Sequence, residues 1–338
     1  MHNERRHDQV VERDAAVVHL LVSGPDAQDA LNFLGVIESQ VAAPLVDESE
    51  RQRLRALVSG ATPVTDRWRP LLVRCGGRPH GYAGMLLPAG PGGEARGDLA
   101  VDRRLESCSP ATVALFEGLR RVAARHRSDH LSVWIRHATD DDHRCARAAG
   151  FGVERELLVL GRQVSSDVAP PSWPSGMQVR AFQPGHDEDQ VVRLLRDAYS
   201  GTADAGWDRQ RFAQRRGYDW FDPDDLLVAE GENGELSGVH WTKRRRDGAG
   251  EVYNLAVHPS AQGTGLGRAL LRAGLAHLHA RGCADVILWV DVGNEPARRL
   301  YRSEGFAPRW TDVAFGTDLS GAPPQQPQVP RSPGGTSL

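Results

Sequence analysis

The sequence predicts an α/β protein made of two copies of one fold joined by a proline-rich linker. Three observations carry that prediction. Segments with strand-like and helix-like apolar spacing alternate along most of the chain. Residues 251–305 read as a strand, a glycine-rich turn, a helix, a second strand and a second helix. Short segments also recur at a nearly constant spacing. CARAAGF at 145–151 matches LYRSEGF at 300–306, an offset of 155, and ALFEGL at 114–119 matches LLRAGL at 270–275, an offset of 156. DLAV at 98–101 then falls on NLAV at 254–257, again at 156.

Bulk properties agree with two domains. At 338 residues the chain exceeds one typical domain, and two of roughly 140 residues are the natural division. A 40% hydrophobic composition with net charge −3 describes an ordinary globular protein and argues against a polyanion-binding one, so no nucleic-acid partner is expected. No apolar run approaches the ~18–20 residues of a membrane span. The start, MHNERRHDQVVERD, lacks the apolar core of a signal peptide, so a cytoplasmic protein with no membrane association is expected. Cys75, Cys108, Cys145 and Cys283 show no ligand or redox spacing and read as reduced, mostly buried thiols. The 13 histidines include no HExxH or comparable cluster, so no metal is expected.

In chain order, residues 1–16 read as a flexible N-terminus. The first copy spans 17–160. VVHLLVSG is a strand, and PDAQDALNFLGVIESQVA a helix with Asp26 near its start. APLVDESERQRLRALVSG is a loop and second helix carrying acidic Asp47 and Glu48. RPLLVRCGG and GYAGMLLPAG are strands joined by a Gly-Gly-Arg-Pro turn. PGGEARG reads as a turn before a short strand, DLAVD. PATVALFEGLRRVAARH is a helix with Ser109 as N-cap and Pro110 at its first position. A strand (HLSVWIRHA), a helix ended by Gly150 and a strand (VERELLVLGR) complete the copy. The linker is 161–176, with three prolines. The second copy, 177–319, restarts the order with strand MQVRAF, two helices, and the hairpin LLVAEG/LSGVHWTKRR. It continues through 251–305 and closes on WTDVAFGTDL. The tail, 320–338, is rich in Pro, Gly, Ser and Gln and reads as disordered.

The turn Gln262-Gly263-Thr264-Gly265-Leu266-Gly267 stands between a strand and a helix. Glycines there let the backbone approach a pyrophosphate, and the helix N-terminus holds its charge. On its own such a turn serves equally to join a strand to a helix. It is not GxxxxGKS, so a P-loop is excluded. A second motif follows: Asn294-Glu295-Pro296-Ala297-Arg298-Arg299-Leu300-Tyr301, then Gly305-Phe306. Asn294 is an N-cap, positions 294, 298 and 301 fall near one helical face, and Gly305 stops the helix.

Together the two motifs resemble the signature pair of the GNAT superfamily of N-acetyltransferases. The resemblance implies an α+β architecture of two tandem GNAT domains, each a mixed, mostly antiparallel sheet flanked by helices. It implies acetyl-CoA as acetyl donor, its pyrophosphate bound by Gln262, Gly263, Thr264, Gly265, Leu266, Gly267 and Arg268. Asn294, Glu295, Pro296, Ala297, Arg298 and Arg299 supply the second half of that site, and the strand at Leu255, Ala256 and Val257 pairs with the pantetheine arm and acetyl carbonyl. Glu251 is then the general base for the acceptor amine, and Tyr301 sits at the thiol leaving group as acid, a phenol near about 10 against a thiol near about 8.5.

Trp220-Phe221-Asp222-Pro223, His240-Trp241-Thr242-Lys243 and Glu251-Val252-Tyr253 bring the resemblance closer to the mycothiol synthases within that superfamily. It covers most of 17–319. It implies acetylation of the cysteinyl amine of Cys-GlcN-inositol, with Lys243, Glu251 and Trp289 as acceptor contacts; a monomer with small-molecule partners is the separate expectation. A core position is the other reading of Trp289. Two acidic contacts are displaced. Asp204 stands beside the place of one, before Gly206-Trp207, and Asp47 takes the place of another in the first copy. Acetylation of another small amine and non-catalytic acyl-CoA binding stay open as alternatives.

The first copy is degenerate where the donor would bind. Glu106-Ser107-Cys108-Ser109-Pro110-Ala111 replaces the glycine turn, and Ala146 replaces Tyr301. A proline removes an amide donor and Glu106 adds the wrong charge. No catalysis is expected there, and at best weak CoA binding at Leu99, Ala100 and Val101.

Overall fold

A computed structural model describes residues 17–21, 24–41, 43–61, 65, 67–104, 110–166 and 168–320. The expectations for residues 1–16 and for the tail beyond 320 lie outside the described residues. So do those for Glu106, Ser107, Cys108 and the Ser109 cap. Two compact units form, one of Met1–Glu156 with Asp312–Leu338 and one of Leu157–Thr311. Both boundaries fall inside strands rather than in the linker.

The first unit contains β1 (Val17–Leu20), α1 (Gly24–Val41), α2 (Glu48–Val58), β2 (Trp68–Cys75), β3 (Arg78–Leu86), β4 (Glu94–Val101), α3 (Pro110–Arg125), β5 (His130–Ile135) and α4 (Asp140–Ala148). It also takes the first part of β6 (Gly152–Gln163) and most of β12 (Ala307–Asp318). Its sheet runs β1-β2-β3-β4-β5-β12, antiparallel except for β4 and β5. β4 starts earlier than the sequence suggests. Positive φ at Gly92 and Gly93 confines the turn to those two residues, and the two-residue burial alternation begins at Glu94. Strand alternation feeds two apolar clusters. Leu71, Val73 and Met85 pack with α3 residues Leu115 and Phe116, while Trp68, Leu72 and Tyr82 pack with α1 and α2 residues Phe33, Leu34 and Leu54.

The second unit contains 157–163 of β6, then β7 (Gln178–Ala181), α5 (Glu188–Ala198), α6 (Arg209–Arg216), β8 (Leu226–Glu230), β9 (Leu236–Arg244), β10 (Gly250–Val257), α7 (Leu266–Ala280), β11 (Asp285–Asp291) and α8 (Glu295–Ser303). Its sheet runs β7-β8-β9-β10-β11-β6, and only β10 and β11 are parallel. The linker begins later than position 161, because Gly161, Arg162 and Gln163 continue β6 opposite Ile287, Val286 and Asp285. On one sheet face α5 and α6 pack Val191, Leu195 and Phe212 against Val228, Val239 and Trp241. Leu271, Leu275 and Leu278 of α7 join Tyr301 of α8 in a separate cluster with Val286 and Leu288. Each unit thus has a mixed, mostly antiparallel sheet with helices packed on it. No helix among the described residues is long and apolar enough to cross a membrane.

Candidate active site

The site of the second unit is built where β10 and β11 part. Gly250, Glu251 and Val252 pair in parallel with Val286, Ile287 and Leu288. The register then slips at Tyr253, and Asn254, Leu255, Ala256 and Val257 pair only with β9. β11 pairs with β6 on its other edge from Asp285 to Asp291, and beyond Leu288 that is its strand pairing. Among the described residues, the second half of β10 therefore has strand bonding on one edge, leaving backbone groups on the other edge for an extended ligand.

The chain leaves β10 through a short 3-10 turn, Pro259–Ala261, and enters α7. The Gln262 side chain donates through Nε2 to the Val257 carbonyl at 3.2 Å, tying turn to strand. Gly263 and Gly265 have φ of +77° and +91°, a region costly for residues with a Cβ, and a Cβ at either would meet nothing within 4 Å. Gly265 caps α7 without any side-chain hydrogen bond. The first amides of the helix thus face an exposed glycine cradle with no side chain filling it, which suits an anionic pyrophosphate.

The second motif forms the facing helix start. Asn294 accepts from the Ala297 amide at 3.2 Å and Pro296 occupies the first turn. Arg298 bonds the Val292 carbonyl and Glu295, each at 3.0 Å, and Arg299 lies 3.7 Å from Glu295. Arg268, expected at the donor, bonds Glu304 at 2.6 Å, and Arg272 bonds the same carboxylate at 2.9 Å. Burial would raise the Glu304 carboxyl, but these two guanidiniums outweigh it and hold it below the usual range. The cluster fastens α7 to the end of α8 beside Tyr301. Glu304 carried no local signal in the sequence, because its partners lie 32 and 36 residues away.

Tyr301 is 8% exposed, edge-on to Phe306 at 5.8 Å, and burial pushes its phenol up to about 12. It therefore keeps its proton at neutral pH and has a hydroxyl hydrogen to donate. Tyr199, at the end of α5, donates to Asn254 Oδ1 at 3.0 Å, where β10 starts to part from β11. Its phenol is raised by burial and then by the neighbouring Tyr301 and Asp204. Sequence reading missed Tyr199; its place in α5 gives no spacing relation to β10.

Glu251 and Lys243 are opposite each other across β9 and β10. Lys243 Nζ lies 4.6 Å over the Trp220 ring and 5.7 Å over Tyr253. Arg245, two residues on, bonds Glu251 at 3.4 Å and lies 5.9 Å over Trp289. Lys243 and Ile287 flank Glu251 and Trp289 is two residues past Ile287, so Lys243, Glu251 and Trp289 share a face. Arg245, just past the end of β9, reaches Glu251 and Trp289 by these contacts. Asp204 is half-buried in the turn after α5, its amide bonded to Thr202 at 3.2 Å.

In the first unit, Asp47 is the N-cap of α2, accepting from the Ser49 amide at 2.8 Å, and its own amide donates to Asp98 at 3.3 Å. Glu50 is the buried acid of α2; it accepts from Trp68 Nε1 at 2.9 Å and from the Tyr82 hydroxyl. Burial pushes Asp98 up to about 7 against the pull of Arg136. β4 and β5 part after Asp98 and Trp134, so the first copy repeats the parting of its central strands. No group of three or more potential metal ligands occurs among the described residues.

Residues 189–306 match the Acetyltransferase (GNAT) family, which uses acetyl-CoA as acetyl donor. The chain is similar to the mycothiol acetyltransferase of Actinosynnema mirum, 34% identical over 88% of this chain and 97% of that one. It is also similar to that of Streptomyces avermitilis, 33% identical over 86% and 95%. Among solved structures it resembles a GCN5-related N-acetyltransferase from Sphaerobacter thermophilus, with TM-score 0.70, 21% identity and coverage of 90% and 96%. A tandem GNAT protein from the clavulanic acid biosynthesis pathway matches with TM-score 0.67, 18% identity and coverage of 91% and 100%. These two share the tandem fold. The chain is a GNAT acetyltransferase and belongs to the mycothiol acetyltransferase family.

Proposed function

We propose that this chain, as a cytosolic monomer, transfers the acetyl group of acetyl-CoA to the cysteinyl amine of Cys-GlcN-inositol, giving mycothiol. The observation that carries this reading is the kinship with mycothiol acetyltransferases over nearly the full length of those relatives. The site geometry supports each part of the reaction.

The cradle of Gly263, Gly265 and Gly267, with the first turn of α7 and the start of α8, receives the pyrophosphate. The free edge of β10 at Leu255, Ala256 and Val257 receives the pantetheine arm and polarises the acetyl carbonyl through backbone amides. Glu251, on the face it shares with Lys243 and Trp289, takes the proton of the acceptor ammonium so that the free amine attacks. Tyr301 donates a hydrogen bond to the departing sulfur. Lys243, Trp289 and Asp204 contact the polar acceptor. The first unit, lacking the glycine turn and a counterpart of Tyr301, performs no chemistry.

The acceptor carries its own thiol, so the decisive assay follows loss of the acetyl-CoA thioester and the mass of the acetylated product. Turnover with Cys-GlcN-inositol well above that with other small amines is expected. Turnover confined to a different amine would overturn the acceptor and leave the donor standing. Donor binding with no turnover on any amine would overturn both the acceptor and the enzymatic reading.

A further inference from the structure

The turn joining β9 to β10 holds a charge arrangement aimed at Glu251. The Arg245 amide donates to the Ala249 carbonyl at 2.8 Å, and the Gly248 amide donates to the Arg245 carbonyl at 3.1 Å. Asp247 Oδ1 accepts from the Ala249 amide at 3.1 Å, and Gly248 takes a φ of +87°. A turn closed this way fixes where the Arg245 side chain starts. Its guanidinium lies between two carboxylates. Nη1 is 3.4 Å from Glu251 Oε2, while Nη2 and Nε are 3.1 and 3.2 Å from Asp247 Oδ2. The side chains of Arg245 and Glu251 are each only 10% exposed, whereas Asp247 is 45% exposed.

A buried cation with one carboxylate as sole partner strongly favours the ionised carboxylate. That would work against a group whose task is to accept a proton. We propose that Arg245 is a positioning residue for Glu251 and that Asp247 is its counter-charge, so that Arg245 stays compensated when Glu251 takes up a proton. The proposal rests on Glu251 being the base. In the step concerned, an N–H bond of the acceptor ammonium breaks, its electron pair stays on nitrogen, and an O–H bond forms on Glu251. Before the step the three side chains carry one positive and two negative charges. After it, Arg245 and Asp247 remain as a neutral pair. Without the charge of Asp247, the same step leaves Arg245 as an uncompensated, largely buried cation. The three residues therefore act as one unit.

The test is a double-mutant cycle in the full chain, assayed with acetyl-CoA and Cys-GlcN-inositol. Asp247→Asn keeps an oxygen for the Ala249 amide, so the turn and the melting temperature stay as they are. Its kcat is expected to fall about tenfold with the acetyl-CoA KM unchanged. Arg245→Gln in the Asp247→Asn background removes the unbalanced cation and keeps an amide donor to orient Glu251, so it should recover most of that loss. A double variant as slow as the product of the two single effects would overturn the proposal, as would an Asp247→Asn enzyme with unaltered kcat. Glu251→Gln serves as the reference. If it abolishes turnover while the cycle is additive, the base reading stands and only the counter-charge falls. If it keeps wild-type kcat, the base reading falls and takes the proposal with it.

Discussion

At the scale of single residues, burial changes what Tyr301 is suited to do. A free phenol near about 10 is a reasonable match for a thiolate near about 8.5, whereas one pushed up to about 12 gives up its proton far less readily. What remains strong is hydrogen-bond donation to developing negative charge on sulfur. Tyr301→Phe keeps the ring and its edge-on contact with Phe306 while removing only that donor. The single-turnover acetyl-transfer rate is therefore expected to drop roughly 10²-fold with acetyl-CoA affinity unchanged. An unaltered rate would remove Tyr301 from the chemistry. Tyr301 and Glu251 were legible in the sequence because each stands at a fixed place within a local motif. Arg245 carries no such mark: it stands in a run of three arginines, 244–246, and nothing in that run shows which of them turns inward.

At the scale of elements, the proposed donor site is a strand that parts from its neighbour and a helix that starts on glycine. The strand and helix identities were legible from apolar spacing. The parting was not, because pairing partners lie far apart in the chain and a three-residue overlap of β10 with β11 leaves no mark in either segment. Gly267 allows this site to be tested apart from the fold. A Cβ there would meet Val257 Cγ2 at 3.5 Å and Leu300 Cδ2 at 3.9 Å, ordinary contacts, and no positive φ is required. In the first turn of α7, alanine should stabilise the helix by about 0.5–1 kcal/mol relative to glycine. Gly267→Ala is thus expected to melt no lower than the wild type while raising the KM for acetyl-CoA. A variant of unchanged KM would show that the pyrophosphate does not approach this backbone.

At the scale of the whole molecule, the internal repeat was legible and the division of strands between units was not. β6 gives its last seven residues, 157–163, to the second unit, and β12 gives 312–318 to the first. Both copies have equivalent apolar last strands, so composition cannot say which sheet each joins. The two units also differ in how they respond to acid. In the second, His240 is fully buried, Nδ1 bonds the Leu270 carbonyl at 2.7 Å, and Nε2 has no hydrogen-bond partner. Burial lowers it to about 4. An unfolded histidine near about 6.5 takes up its proton first, so the stability this group contributes is lost as pH falls from about 6.5 towards 4. Glu188 and Glu304, both held below the usual carboxylate range, add to the loss at the acid end of that window. In the first unit, His137, lowered to about 4 by burial, acts in the same direction. Asp98, raised to about 7, opposes it: its folded form takes up a proton before the unfolded chain does, which stabilises the fold as pH falls. His130, raised because its bonds to Asp318 and Glu154 outweigh the lowering effect of burial, acts with Asp98. Acidification from pH 7 to about 5 is therefore expected to loosen the second unit ahead of the first. Hydrogen exchange, corrected for intrinsic rates, should show amides of β9 and α7 losing protection while those of β3 and β4 keep theirs. His240→Leu should flatten the response of the second unit, and loss of protection that is equal in both units would refute the assignment.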